Sequence, residues 1–99
     1  MAVATDIKVI TKQELKPPQK CNVVYHNDDY TTMEFVVSSL QEVFGYTYDY
    51  AHELTLKVHE HGTAIVGSFV YEIAEQKSVE VMKAARASGF PLKVTVQRP

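Results

Sequence analysis

Apolar residues recur along this 99-residue chain with two periods, one of three to four residues and one of two. Neither holds over residues 1–20, where Thr, Lys, Gln and the Pro17-Pro18 pair mix with scattered aliphatics, and this predicts a flexible arm over residues 1–18 ahead of a folded core over residues 19–99. Cys21 to His26 is short and β-branched, bounded by the prolines and by Asn27-Asp28-Asp29, as expected of a buried strand. Met33, Val36, Val37, Leu40, Val43 and Phe44 then form a helical stripe closed by Gly45. Thr31-Thr32-Met33-Glu34 fits a capping box in which the Thr31 hydroxyl accepts from the amide of Glu34. A weaker stripe of Ala51, Leu54, Thr55 and Val58 predicts a second helix over residues 47–61, with Gly62 as its stop. Ala64 to Phe69 reads as a strand, and residues 71–88 as a third helix with Ile73, Ala74, Val81, Ala84 and Ala85 inward. Leu92 to Gln97 alternates strictly, as a strand with one wet face does. The order is βααβαβ, an α+β fold with a small, mainly antiparallel three-stranded sheet and three helices packed on one face.

Composition changes this picture little but excludes several functions. Apolar residues make up 45% and charged residues 22%, ordinary values for a chain with room for one core. The net charge of −2, without a basic cluster, argues against nucleic acid as a partner. No apolar run approaches the roughly 20 residues needed to span a bilayer, and no export signal opens the chain, so a cytoplasmic protein without membrane contact is expected. The single cysteine, Cys21, cannot form an internal disulfide.

The densest polar cluster of the folded region is Asn27-Asp28-Asp29, at a strand-to-helix junction. Such residues form turns because their short side chains bond nearby backbone, or they present acceptors to a cation or an N–H group. A calcium loop would need alternating oxygen ligands over twelve residues, which this stretch does not supply. Of the four histidines, His52 and His59 stand two helical turns apart, about 10 Å, and no Cys pair or HExxH spacing accompanies them or His26 and His61. No metal site is expected. Cys21 in mid-strand and the adjacent acids Asp28 and Asp29 make a poor catalytic set, and there is no glycine-rich phosphate loop or G-x-S-x-G elbow. Neither an enzyme nor a cofactor is indicated.

The string from Asn27 to Val36 (NDDYTTMEFV), followed by Val58-His59, Gly62, Ala64-Ile65, Gly67, Glu72, Ala74-Glu75, Lys77 and Pro91-Leu92, resembles ClpS, the adaptor that delivers N-end rule substrates to the ClpAP protease. The resemblance covers about residues 17 to 97. It implies a surface pocket for a free N-terminal residue that is large and hydrophobic: Leu, Phe, Tyr or Trp. By that resemblance Asn27 and His59 receive the α-ammonium, and Asp28, Asp29 and Thr31 wall the first peptide bond. Met33, Val36, Val58 and Leu92 are the apolar lining, with Thr55 standing where the family usually has Met. Thr32 stands where the family commonly has Pro at the first helical position. Loss of the Met implies a roomier or more polar pocket. Glu72 and Lys77 correspond to positions that dock on the N-terminal domain of a ClpA-type or ClpC-type unfoldase, and the arm to a delivery segment. The implied protein is a bacterial, cytoplasmic, monomeric adaptor. The alternative is a general interaction module similar to the C-terminal domain of the ribosomal stalk protein, without a peptide pocket; a metal-dependent hydrolase comes third.

Overall fold

The computed structural model describes residues 19–99; the expected arm over residues 1–18 lies outside the described residues. The elements run β1 (Lys20–His26), α1 (Met33–Phe44), α2 (Tyr48–His61), β2 (Thr63–Val70), α3 (Tyr71–Ala87) and β3 (Lys93–Gln97), the expected βααβαβ order. The strands form one sheet in the order β2-β1-β3, and both pairings are antiparallel. Central β1 carries the fully buried Val23 and Tyr25 into a core shared with Leu40 of α1, Ala51 and Leu54 of α2, Val81 of α3 and Val94 of β3.

Register slips once. Val23 faces Gly67 and Val24 faces Ile65, so Val66 is an extra residue on β2. Its side chain is buried, and the Tyr46 hydroxyl donates to its carbonyl oxygen at 2.7 Å. Gly67 leaves the space this requires, because a Cβ there would meet the Tyr46 hydroxyl at 2.8 Å and the Phe69 ring at 2.7 Å.

Two expectations shift. Helix α1 begins one residue later than the capping-box reading requires: Thr32 is the N-cap, and its hydroxyl accepts from the amide of Phe35 at 3.2 Å. Thr31 belongs instead to the turn before the helix, where its amide and its hydroxyl both donate to Asp28. Thr32 is thus not the first helical residue, and as a threonine it supplies the cap acceptor that a proline lacks, worth about 1 kcal/mol. On α3 the inward stripe is Ala74, Ser78, Val81 and Ala85, whereas Ile73 is 40% exposed and Ala84 is also exposed. Ser78 enters the core because its hydroxyl donates to the carbonyl of Ala74 at 2.8 Å, leaving no polar atom without a partner.

Candidate functional site

The loop after β1 is built by Asp28. One carboxylate oxygen accepts from the amides of Tyr30 at 2.8 Å and Thr31 at 2.7 Å, and the other from the Thr31 hydroxyl at 2.7 Å. Burial alone would raise the carboxyl's pKa. The Thr31 and Tyr30 bonds and the nearby positive charge of Arg86 outweigh it and hold the group below its usual 3.8. For Asp28 the turn reading of the cluster therefore applies. Asn27 differs: its amide donates to the carbonyl of Gly62 at 2.8 Å, tying the end of β1 to the α2–β2 corner. Gly62 caps α2 in the left-handed region at φ 83°, where a β-carbon would be strained. That main-chain tie sets Asn27 beside the last turns of α2, where Thr55, Val58 and His59 share a face at i, i+3 and i+4. From α1, Met33 and Val36 approach at i and i+3.

Together these elements enclose an open cleft of about 260 Å³ lined by Asn27, Asp28, Asp29, Thr31, Met33, Val36, Thr55, Val58 and His59. Its base is aliphatic, formed by the buried Val36 and Val58, and its rim is polar. Among the described residues the side chains of Asn27, Asp29 and His59 have no hydrogen-bond partner, and Asn27 and His59 are exposed. Thr55 is 2% exposed and its hydroxyl donates to the carbonyl of Ala51 at 2.8 Å. The hydroxyl proton is thus spent on its own helix, so Thr55 offers the cleft no free donor.

Nine of the ten residues expected at the site meet in this cleft. Leu92 does not line it: the side chain is 1% exposed and lies with Val94 in the core, on the inner face of the alternating segment whose outer residue is Lys93. Arg86, which no sequence motif marks, fastens the segment before β3 by donating to the carbonyls of Phe90 at 3.0 Å and Leu92 at 2.8 Å. Glu72 and Lys77 lie on α3, away from the cleft. Glu72 is exposed in the first turn, but the Lys77 ammonium is half-buried. It donates to the carbonyl of Val43 at 3.0 Å and lies 5.4 Å from the Phe44 ring centroid and 5.3 Å from that of Phe69.

Among the described residues no group of three His, Cys, Asp or Glu side chains is arranged to hold a metal ion, and no helix is long and apolar enough to cross a membrane.

Comparison with protein families matches residues 16–95 to the family described as ATP-dependent Clp protease adaptor protein ClpS. The chain is 47% identical over 87 residues to the ATP-dependent Clp protease adapter protein ClpS of Pectobacterium carotovorum, covering 88% of this chain and 82% of that one. To the protein of the same name from Oleidesulfovibrio alaskensis it is 39% identical over 97 residues, covering 98% and 93%. Among solved structures, Agrobacterium tumefaciens ClpS2 bound to L-phenylalaninamide superposes with a TM-score of 0.81 at 34% identity, covering 84% of this chain and all of that one. A family match over most of the chain, curated relatives matched along most of their own lengths and a shared fold agree that this chain belongs to the ClpS family of Clp protease adaptors.

Proposed function

We propose that this protein binds polypeptides whose unblocked first residue is Leu, Phe, Tyr or Trp and delivers them to the N-terminal domain of a ClpA-type or ClpC-type unfoldase for degradation by the Clp protease. It acts in the bacterial cytoplasm and performs no chemistry itself. The observation that carries this reading is the cleft: Asn27 and His59 present side-chain polar atoms that no other described residue engages, at the rim of a hollow whose base is Val36 and Val58. L-phenylalaninamide, the ligand of the Agrobacterium relative, pairs a free α-amine with one aromatic side chain, the two features such a hollow can read at once.

The α-ammonium carries three N–H donors and a positive charge that no internal residue has. The Asn27 carbonyl and the neutral His59 ring can each accept one of them, with Asp29 adding negative charge at the rim. A hydrogen bond to a charged group contributes about 1.5–3 kcal/mol, and burial of one Leu or Phe side chain about as much. Less the cost of association, the sum supports a dissociation constant of micromolar order. Docking through Glu72 and Lys77 on α3 would leave the cleft open to solvent, and residues 1–18 would then enter the unfoldase as the delivery segment.

Fluorescence anisotropy with a labelled peptide beginning with Phe tests the reading. N-acetylation should weaken binding at least tenfold, and Asn27→Ala and His59→Ala should each weaken it by about 10-fold or more. Equal affinity for the free and acetylated peptides would overturn it.

A further inference from the structure

A second hollow, about 410 Å³, lies between α1 and α2. Its walls are Met33, Val37 and Tyr48, and Glu34, Gln41 and His52 supply polar groups. Met33 also lines the cleft described above, so the two hollows adjoin across one side chain. Two of the apolar walls are unusually open to solvent: Met33 is 40% and Tyr48 57% exposed. The Tyr48 ring is steadied by the His52 ring, with centroids 5.8 Å apart and planes inclined by 33°.

We infer that this groove is a second subsite, which takes the side chain of the third residue of the bound polypeptide and favours a large apolar or aromatic one. The inference rests on the cleft holding the first residue. Two side chains that touch Met33 from opposite sides are separated by about twice the ~4 Å contact distance, or about 8 Å. In an extended chain, rising about 3.3 Å per residue with side chains alternating, the first and third residues point the same way about 7 Å apart. The second points away from the protein. The spacing thus selects the third residue. The walls select its chemistry, since a ring can lie along Met33 and Val37 against the edge of Tyr48. The Glu34 carboxylate at the margin disfavours an acidic residue by like-charge repulsion.

The test uses peptides beginning Phe-Ala-Phe, Phe-Ala-Ala and Phe-Ala-Asp, titrated against the wild-type protein and Tyr48→Ala. Tyr48 is exposed at the start of α2, so its truncation leaves the core intact. The wild type should bind Phe-Ala-Phe about 5- to 10-fold tighter than Phe-Ala-Ala, as partial burial of one ring predicts, and Phe-Ala-Asp should be the weakest. In Tyr48→Ala the preference for Phe at position three should fall to about 2-fold or less, while affinity for Phe-Ala-Ala stays within about 2-fold of wild type. Normal binding of Phe-Ala-Ala with no dependence on residue three, or an equal dependence in both proteins, would overturn the groove alone. An affinity for Phe-Ala-Ala that Asn27→Ala leaves unchanged would overturn the cleft assignment and this inference with it. Sedimentation of the wild type as a dimer that Tyr48→Ala dissociates would assign the groove to a second copy of this chain and overturn the inference too.

Discussion

At position 55 a threonine stands in the wall of the cleft with its hydroxyl bonded back to Ala51, so its effect is one of shape. Thr55→Met should refill the cleft: peptides beginning with Trp should lose at least roughly 5-fold in affinity relative to those beginning with Leu, the scale on which apolar pockets discriminate size. Competition anisotropy measures the ranking, and an unchanged order between wild type and variant would refute the idea. Asp28 carries a different prediction. Its folded-state pKa lies below the usual 3.8, so the folded protein binds fewer protons than the unfolded chain in that region. The stability it contributes is complete above that value and is lost as pH falls through the folded-state value. Asp28→Asn should lower stability at pH 6, since an amide cannot accept from both the amides and the Thr31 hydroxyl with two oxygens, and should flatten the decline below pH 4. Urea denaturation at a series of pH values reads both effects. Whereas Thr55, Val58 and His59 were reached only through the family resemblance, six of the cleft residues were legible because Asn27 to Val36 is contiguous and distinctive. The division of labour within it was not, since only the loop geometry shows that Asp28 spends both oxygens on Tyr30 and Thr31 while Asn27 spends only its main-chain amide.

Helix α3 shows why elements were easier to locate than to orient. Its span follows from periodicity and the Gly89-Phe90-Pro91 stop, and Ala74, Val81 and Ala85 lie inward as expected, but Ser78 looks polar and is buried while Ile73 and Ala84 look apolar and are exposed. A serine that bonds its own helix behaves as a small core residue, and a count of apolar letters cannot register this. Lys77 has a related ambiguity. As a lysine on an amphipathic helix it suggests a solvated contact for a partner, but its ammonium is placed at the C-terminal end of α1, where carbonyl groups and the helix dipole favour a cation, and beside two aromatic rings. Lys77→Ala should therefore destabilise the fold by about 1–2 kcal/mol, whereas Glu72→Ala, on an exposed first turn, should stay within about 0.5 kcal/mol of wild type. Chemical denaturation of the two variants provides the measurement. Equal stabilities would show that the Lys77 contacts contribute nothing to the fold.

Across the whole molecule, sheet and helices are joined at the bulge on β2, where Tyr46 from the α1–α2 connection reaches the carbonyl of Val66. The strand reading of Ala64 to Phe69 does not fix which residue is extra, and the one cue beside it is Gly67, since a glycine inside a strand often marks a bulge. Gly67→Ala should cost about 1–3 kcal/mol through overpacking against Tyr46 and Phe69. Combined with Tyr46→Phe, which clears the contact with the hydroxyl, it should cost less than the sum of the two single changes. Additive losses in thermal unfolding would argue against the close approach. A longer-range consequence attaches to the bond from the Asn27 amide to the Gly62 carbonyl. It joins two backbone points 35 residues apart (62 − 27), so the two halves of the rim proposed to take the amine are held in place by main chain before any guest arrives. A guest then gives up its own freedom on entry while the host gives up little, which lets so small a handle as one terminal residue serve as an address.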